Sequence, residues 1–232
     1  MMIRARFSKK KRLRYISHLE LMDTMRRAIR RADVPGAYSK GYNPSLNLSL
    51  SQPLPVGMPG GGEYLDLELI EAVGENEFVS DLNKKLPSGV EILVSRLVEN
   101  TGLKSLQAIV DRARYIISSP LSGRKSNHKL LAELSRREEL FVVRRRRNKE
   151  DRSYDLRSMI HEVNLREDNC WSFLVSTGSR GNVRPGEIVQ GLKKLRPELP
   201  DIPLINFYRE GMYVAHNDDI LTPLSEVILE GR

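Results

Sequence analysis

Over its first hundred residues the chain's hydrophobic pattern alternates between period two and period 3.6, and the order in which it does so narrows the possible folds more than any other feature. Ile3, Ala5 and Phe7 alternate with Arg4 and Arg6, the signature of a half-buried strand with both arginines on its outer face. Leu19, Met22, Met25, Ile29 and Ala32 then recur at helical spacing, with Arg27, Arg30 and Arg31 falling away from that stripe. Ser17 and Glu20 before it form a capping box, in which each side chain accepts from the other residue's amide, and Pro35 and Gly36 end the helix. Leu46, Leu48 and Leu50 alternate with Asn47, Ser49 and Ser51 as a second strand. Residues 53–62 are a proline- and glycine-rich connection, and Tyr64, Leu65, Leu67, Leu69 and Ile70 form a third strand. A helix over 75–86 and a strand over 90–98 complete a βαββαβ order, the ferredoxin-like pattern.

The remaining residues repeat that order less plainly. A strand over 113–117, a helix over 128–140 and a short strand or arm over 141–147 precede a hairpin from 159–165 and 171–176. A helix over 185–195, opened by Pro185 in its first turn, leads to a last strand over 204–208. With 100–107 as linker, the expected fold is α+β: two tandem ferredoxin-like domains, 1–100 and 108–232, the second carrying a C-terminal extension. A chain of 232 residues has the length for two domains of roughly 100–150 residues each.

The single cysteine, Cys170, excludes an intramolecular disulfide framework and any cysteine-ligated cluster within one chain. No apolar run approaches the roughly 20 residues of a membrane span, and no apolar segment follows the basic opening as in a signal peptide. A cytoplasmic protein without a membrane partner is therefore expected. His18, His128, His161 and His216 stand at no metal-ligand spacing, and there is no nucleophile elbow, Walker loop or dinucleotide fingerprint. These motifs call for no cofactor, and catalysis has no recognisable motif to rest on.

Charge is more informative. Residues 1–46 hold twelve Lys/Arg against three acids, residues 47–103 three against nine, and residues 124–152 eleven against five, with Arg144, Arg145, Arg146 and Arg147 in a run. Segregation on this scale sets up a directed field suited to a polyanion. Lys9, Lys10, Lys11, Arg12 and Arg14 are the expected phosphate contacts, extended by Arg27, Arg30 and Arg31. Tyr42 and Asn43 lie beside this block and supply stacking and polar contacts, with Tyr15 and Tyr38 nearby. Gly178-Ser179-Arg180-Gly181 runs through Arg184 into the helix at Pro185, and a basic loop entering a helix N-terminus suits a phosphate as well as a plain tight turn. The Gly60-Gly61-Gly62 run reads as a turn into the third strand. His18, in the first turn of the basic helix, is the one candidate general base for a ribose 2′-hydroxyl; the alternative is a local hydrogen bond at the cap.

The runs Arg6-Phe7-Ser8-Lys9, Tyr15-Ile16-Ser17-His18-Leu19-Glu20-Leu21-Met22 and Arg27-Ala28-Ile29-Arg30-Arg31-Ala32 resemble the opening of the radical SAM-linked protein family. The resemblance continues through Tyr38-Ser39-Lys40-Gly41-Tyr42-Asn43-Pro44, Pro53-Leu54-Pro55-Val56-Gly57 and Glu63-Tyr64-Leu65-Asp66, and more weakly at Asp155-Leu156-Arg157 and Val183-Arg184-Pro185. That family is a domain of unknown function, found alone or fused behind a radical SAM enzyme with a cobalamin-binding-like domain. The resemblance implies an accessory module that presents RNA to such an enzyme in trans, in tRNA or rRNA modification or processing; it supplies no catalytic residues. The chain has no CxxxCxxC motif, so radical chemistry would belong to the partner. Two other readings stay open: a metal-independent endoribonuclease or RNA-modifying enzyme using His18, and a protein–protein adaptor. In outline the first half is also similar to tandem ferredoxin-like CRISPR-processing endoribonucleases, a likeness of fold order alone.

Overall fold

The computed structural model describes residues 1–99, 102–145, 150–166, 169–179 and 181–231. In chain order the elements are β1 (Met2–Lys9), α1 (His18–Arg31), β2 (Leu48–Leu50), β3 (Gly60–Glu68), α2 (Glu75–Lys85) and β4 (Val90–Val98). There follow α3 (Leu106–Ile109), β5 (Arg112–Ser118), α4 (Arg124–Arg136), β6 (Phe141–Arg144), β7 (Arg152–Asp155), β8 (Ile160–Leu165) and β9 (Cys170–Ser176). Last come α5 (Pro185–Leu195), β10 (Phe207–His216), β11 (Asp219–Leu221) and α6 (Glu226–Leu229). The fold is mixed α+β, built on one large sheet ordered β4-β1-β3-β10-β5-β9-β8, with β2 on β3, β11 on β10 and a separate β6–β7 ribbon. Counted within each half, the strands take the same order: β4-β1-β3-β2 in the first and β10-β5-β9-β8 in the second, every neighbouring pair antiparallel. The halves meet at a parallel seam, where Arg209 of β10 is registered on Gly60 of β3.

Each half buries one sheet face under its helices. In the first, Ile3, Ala5 and Phe7 pack on Leu21, Met25 and Ile29 of α1 and on Phe78 and Leu82 of α2. In the second, Ile117, Trp171 and Phe173 pack on Leu130 and Leu134 of α4 and Ile188 and Leu192 of α5. Leu54, Met58 and Tyr64 of the first half belong to this second core, so the two halves share packing. The capping box is present: the Glu20 amide donates to the Ser17 hydroxyl at 3.3 Å and the Ser17 amide to the Glu20 carboxylate at 2.7 Å.

Several sequence expectations need correction. β1 is buried on both faces, because the segments at Lys104 and Pro223 close over Arg4: its guanidinium grips Asp66 at 2.7 and 2.8 Å and donates to the carbonyls of Lys104 and Pro223. The buried stripe of α1 runs through Leu21, Met25, Ala28 and Ile29, whereas Leu19 is 74% exposed. At 100° per residue Leu19 lies about 160° around the helix from Leu21, so one stripe cannot hold both. Gly60, Gly61 and Gly62 lie inside β3 rather than in a turn before it, and Ile70 is exposed beyond the strand's end. A β-carbon on Gly62 would stand 2.5 Å from the Glu210 carbonyl and the Gly211 α-carbon, so glycine is what lets the seam close. α4 begins at Arg124 and ends at Arg136, four residues earlier at each end than the hydrophobic pattern implied. The last strand begins at Phe207, after a 3₁₀ turn at Leu204–Asn206, and continues to His216. β6 ends at Arg144, pinned to α5 by Gln190 accepting from the Val143 amide at 2.7 Å.

Candidate functional site

A cleft of about 1270 Å³ opens over the seam on the helical side of the sheet, larger than the roughly 300–1,000 Å³ of a drug-sized pocket. His18 stands on one wall and the start of α5 on the other, while Arg209 and Tyr115 form the floor. The capping box fixes the start of α1 and thereby holds His18 at the cleft edge.

The floor is an internal charge network. Arg209, fully buried, binds both oxygens of Glu63, donates to the carbonyls of Gln52 and Pro53, and hydrogen-bonds the Tyr115 hydroxyl. Burial raises the Tyr115 phenol, which stays neutral. Lys9 lies beside this pair, 1% exposed, its ammonium donating to the Ile16 carbonyl at 2.6 Å. It is therefore not a surface phosphate contact: two residues beyond Phe7 on β1, it shares that residue's inner face and points toward His18 and Glu63, with which it bounds a void of about 10 Å³. Burial lowers the Lys9 ammonium's pKa, with Glu63 acting against that shift. Burial, and then the charge of Lys9, hold the His18 imidazole below its ordinary value, which keeps it neutral near pH 7.

The opposite wall has its own buried pair. Arg144 donates to both oxygens of Glu187 and lies over the Tyr154 ring, 5.1 Å from its centroid. Burial pushes the Glu187 carboxyl up, but donation from Arg144, the Arg184 amide and Tyr154 outweighs it and holds the group below the ordinary carboxylate range. With Arg144 so engaged, the exposed cations of this wall among the described residues are Arg145 and Arg184, beside Ser179 and the first amides of α5. The cations of this wall thus face the neutral imidazole of His18 across an apolar strip of Pro53, Leu54, Val56 and Leu204.

The other expected residues divide into three groups. Arg14 reaches the rim: its carbonyl accepts from the Gly57 amide at 2.8 Å, and its guanidinium lies 4.7 Å from the centroid of Tyr15, which is itself exposed. Lys10, Lys11 and Arg12 are exposed on the same turn, with Lys11 donating to Ser88 at 3.2 Å. Arg27, Arg30 and Arg31 are exposed at the far end of α1, about 14–20 Å along its axis from His18, and do not line the cleft. Tyr42 is 100% exposed and Asn43 exposed at the tip of a loop closed by the Ser39 amide donating to the Ser45 carbonyl at 2.8 Å, also away from the cleft. Arg180, with Arg146 and Arg147, lies outside the described residues. Among the described residues no cluster of three metal-ligating side chains forms, and no helix is long and apolar enough to cross a membrane.

Residues 2–185 match the family model described as an uncharacterized protein conserved in bacteria (DUF2344). The chain belongs to that family. No curated protein matches it. The DUF2344 match takes in the basic turn, α1, the first-half wall of the cleft and the loop up to the first residue of α5, and ends before β10.

Proposed function

We propose that the chain is a non-catalytic RNA-binding module, two ferredoxin-like units sharing one sheet, that seats a segment of RNA in the cleft and serves a radical SAM enzyme in trans. The repeated strand order supports the two-unit reading. The observation that carries RNA binding is the cleft itself: Arg145, Arg184 and the start of α5 face His18 across an apolar strip, and the basic turn from Lys10 to Arg14 adjoins the rim. Such cations position a phosphate backbone without reading its sequence. The test is the salt dependence of binding to a labelled single-stranded oligoribonucleotide. Replacing Lys10, Lys11, Arg12 and Arg184 with alanine weakens binding and flattens the salt slope by about 0.7 for each phosphate no longer neutralised. Unchanged affinity and slope overturn the reading.

One observation favours a second reading. A neutral imidazole beside a buried ammonium, as His18 is beside Lys9, has the protonation state of a general base for a ribose 2′-hydroxyl. That reading requires RNA cleavage in excess EDTA, abolished by His18→Ala with binding retained. Binding without cleavage leaves the non-catalytic module. Persistent association with the enzyme after nuclease treatment, together with no RNA affinity, would mark an adaptor instead.

A further inference from the structure

Strand β10 addresses both faces of the sheet. Arg209 points into the cleft floor, so its neighbours Tyr208 and Glu210 point to the opposite face, and the bulge between Arg209 and Gly211 resets the alternation so that Tyr213 stands there too. Tyr208 and Tyr213 belong to neither hydrophobic core and are partly open to solvent. Both rings lie down on the sheet, and in each case a glycine makes the room. A β-carbon on Gly61 would stand 1.7 Å from the Tyr208 hydroxyl, and one on Gly211 would stand 2.7 Å from the Tyr213 hydroxyl and 2.9–3.2 Å from the edge of its ring. Tyr208 therefore leans across the seam onto β3, while Tyr213 leans back along its own strand. A tyrosine laid over a strand glycine fills the gap in the pleat and presents its other ring face outward.

The surroundings are cationic. Arg6 donates to the Gly61 carbonyl at 3.2 Å, Arg114 pairs with Glu162 at 2.8 Å and Arg166 with Glu210 at 2.6 Å. Three guanidinium groups thus share this face with two carboxylates. The position of Gly61 also gives the glycine run a purpose beyond the seam, since that residue clears the space for the Tyr208 ring.

We infer that this face is a second RNA-binding surface, on which two successive bases of a single strand stack on Tyr208 and Tyr213 while Arg6, Arg114 and Arg166 take the phosphates. Aromatic rings on a partly exposed stretch of sheet, edged by arginine, suit unpaired bases because every base offers a π-face. The inference rests on the RNA-binding reading above but uses none of the cleft residues.

The test is fluorescence anisotropy with a labelled oligoadenylate about eight nucleotides long, within the usual site size of single-strand binders. Four proteins are compared: wild type, Tyr208→Leu/Tyr213→Leu, Tyr208→Phe/Tyr213→Phe, and the cleft variant Arg145→Ala/Arg184→Ala. The leucine pair should lose roughly tenfold or more in affinity, and the phenylalanine pair should stay within about twofold of wild type, because stacking needs the ring and not the hydroxyl. Equal loss in both pairs overturns stacking. A second readout does not depend on how well the leucine pair folds: in Tyr213→Trp the new indole emission should be quenched by the oligonucleotide, against an unchanged background from buried Trp171. Wild-type affinity in the leucine pair, unquenched indole and a weakened cleft variant would overturn the platform and leave the cleft standing. If no variant and no wild-type protein binds, both readings fall.

Discussion

His18 links the charge network to a measurable pH dependence. Its imidazole is held below the ordinary histidine value by burial, by Lys9 and by Arg209, with Glu63 acting in the opposite direction. A lowered folded-state value means that the unfolded chain binds the proton more readily. The stabilising contribution of neutral His18 is therefore complete above about pH 6.5 and is lost as pH falls through its lowered folded value. Urea titrations from pH 7.5 to 5 should show stability falling more steeply in wild type than in His18→Gln. Parallel curves would mean that the imidazole is as free to protonate when folded as when unfolded. At this scale the sequence told half the story. His18 and Arg184 were legible as site residues because each sits at a helix start, and helix starts carry local marks. Glu63, Arg209 and Glu187 were not, since a charged residue pointing inward looks the same in sequence as one pointing out. The alternation Phe207, Arg209 was the available signal: it sets the arginine on the face of a buried phenylalanine. Lys9 misled for the converse reason: it opens a basic run, yet it stands two residues beyond buried Phe7 and so on the same inner face of β1.

Among the elements, β3 carries the most constraint. It pairs with β1 along one edge and with both β2 and β10 along the other. Gly62→Ala puts a methyl group against the β10 backbone, which is not a flexible side chain and cannot swing away. The expected cost is about 1–3 kcal/mol, the usual range for overpacking. Denaturant midpoints should fall accordingly, whereas Gly186→Ala, whose β-carbon meets nothing within 4 Å, should change stability far less. Equal effects at the two positions would show that the seam tolerates separation. Strand and helix spans in the first half were largely readable because each buries one face and so keeps a clean period; β4 was read to the residue. The β6–β7 ribbon was read only in part because it is short and leans on α5 through side chains distant in sequence. The glycine run was misread as a turn because glycine marks both turns and close backbone approaches, and only the partner strand tells them apart.

At the scale of the whole molecule, the halves are bound by the seam, the Arg209–Glu63 pair, the Arg4 contacts to Lys104 and Pro223, and the shared packing of Leu54, Met58 and Tyr64. The full chain should therefore unfold in one transition by both far-ultraviolet circular dichroism and Trp171 fluorescence. Residues 1–100 made alone should melt at a lower temperature and bind a hydrophobic dye, because Glu63 loses its cation and three apolar side chains lose their cover. Separate transitions in the full chain would mean that the halves are independent. The pairing of Glu63 with Arg209 also sets a schedule for the cell. The two residues are 146 positions apart, so at about 5–20 residues per second a ribosome releases the carboxylate roughly 7–30 s before the arginine that neutralises it. For that interval the nascent first half holds a strand with an unneutralised carboxylate on its inner face, and its full stability waits on translation of β10.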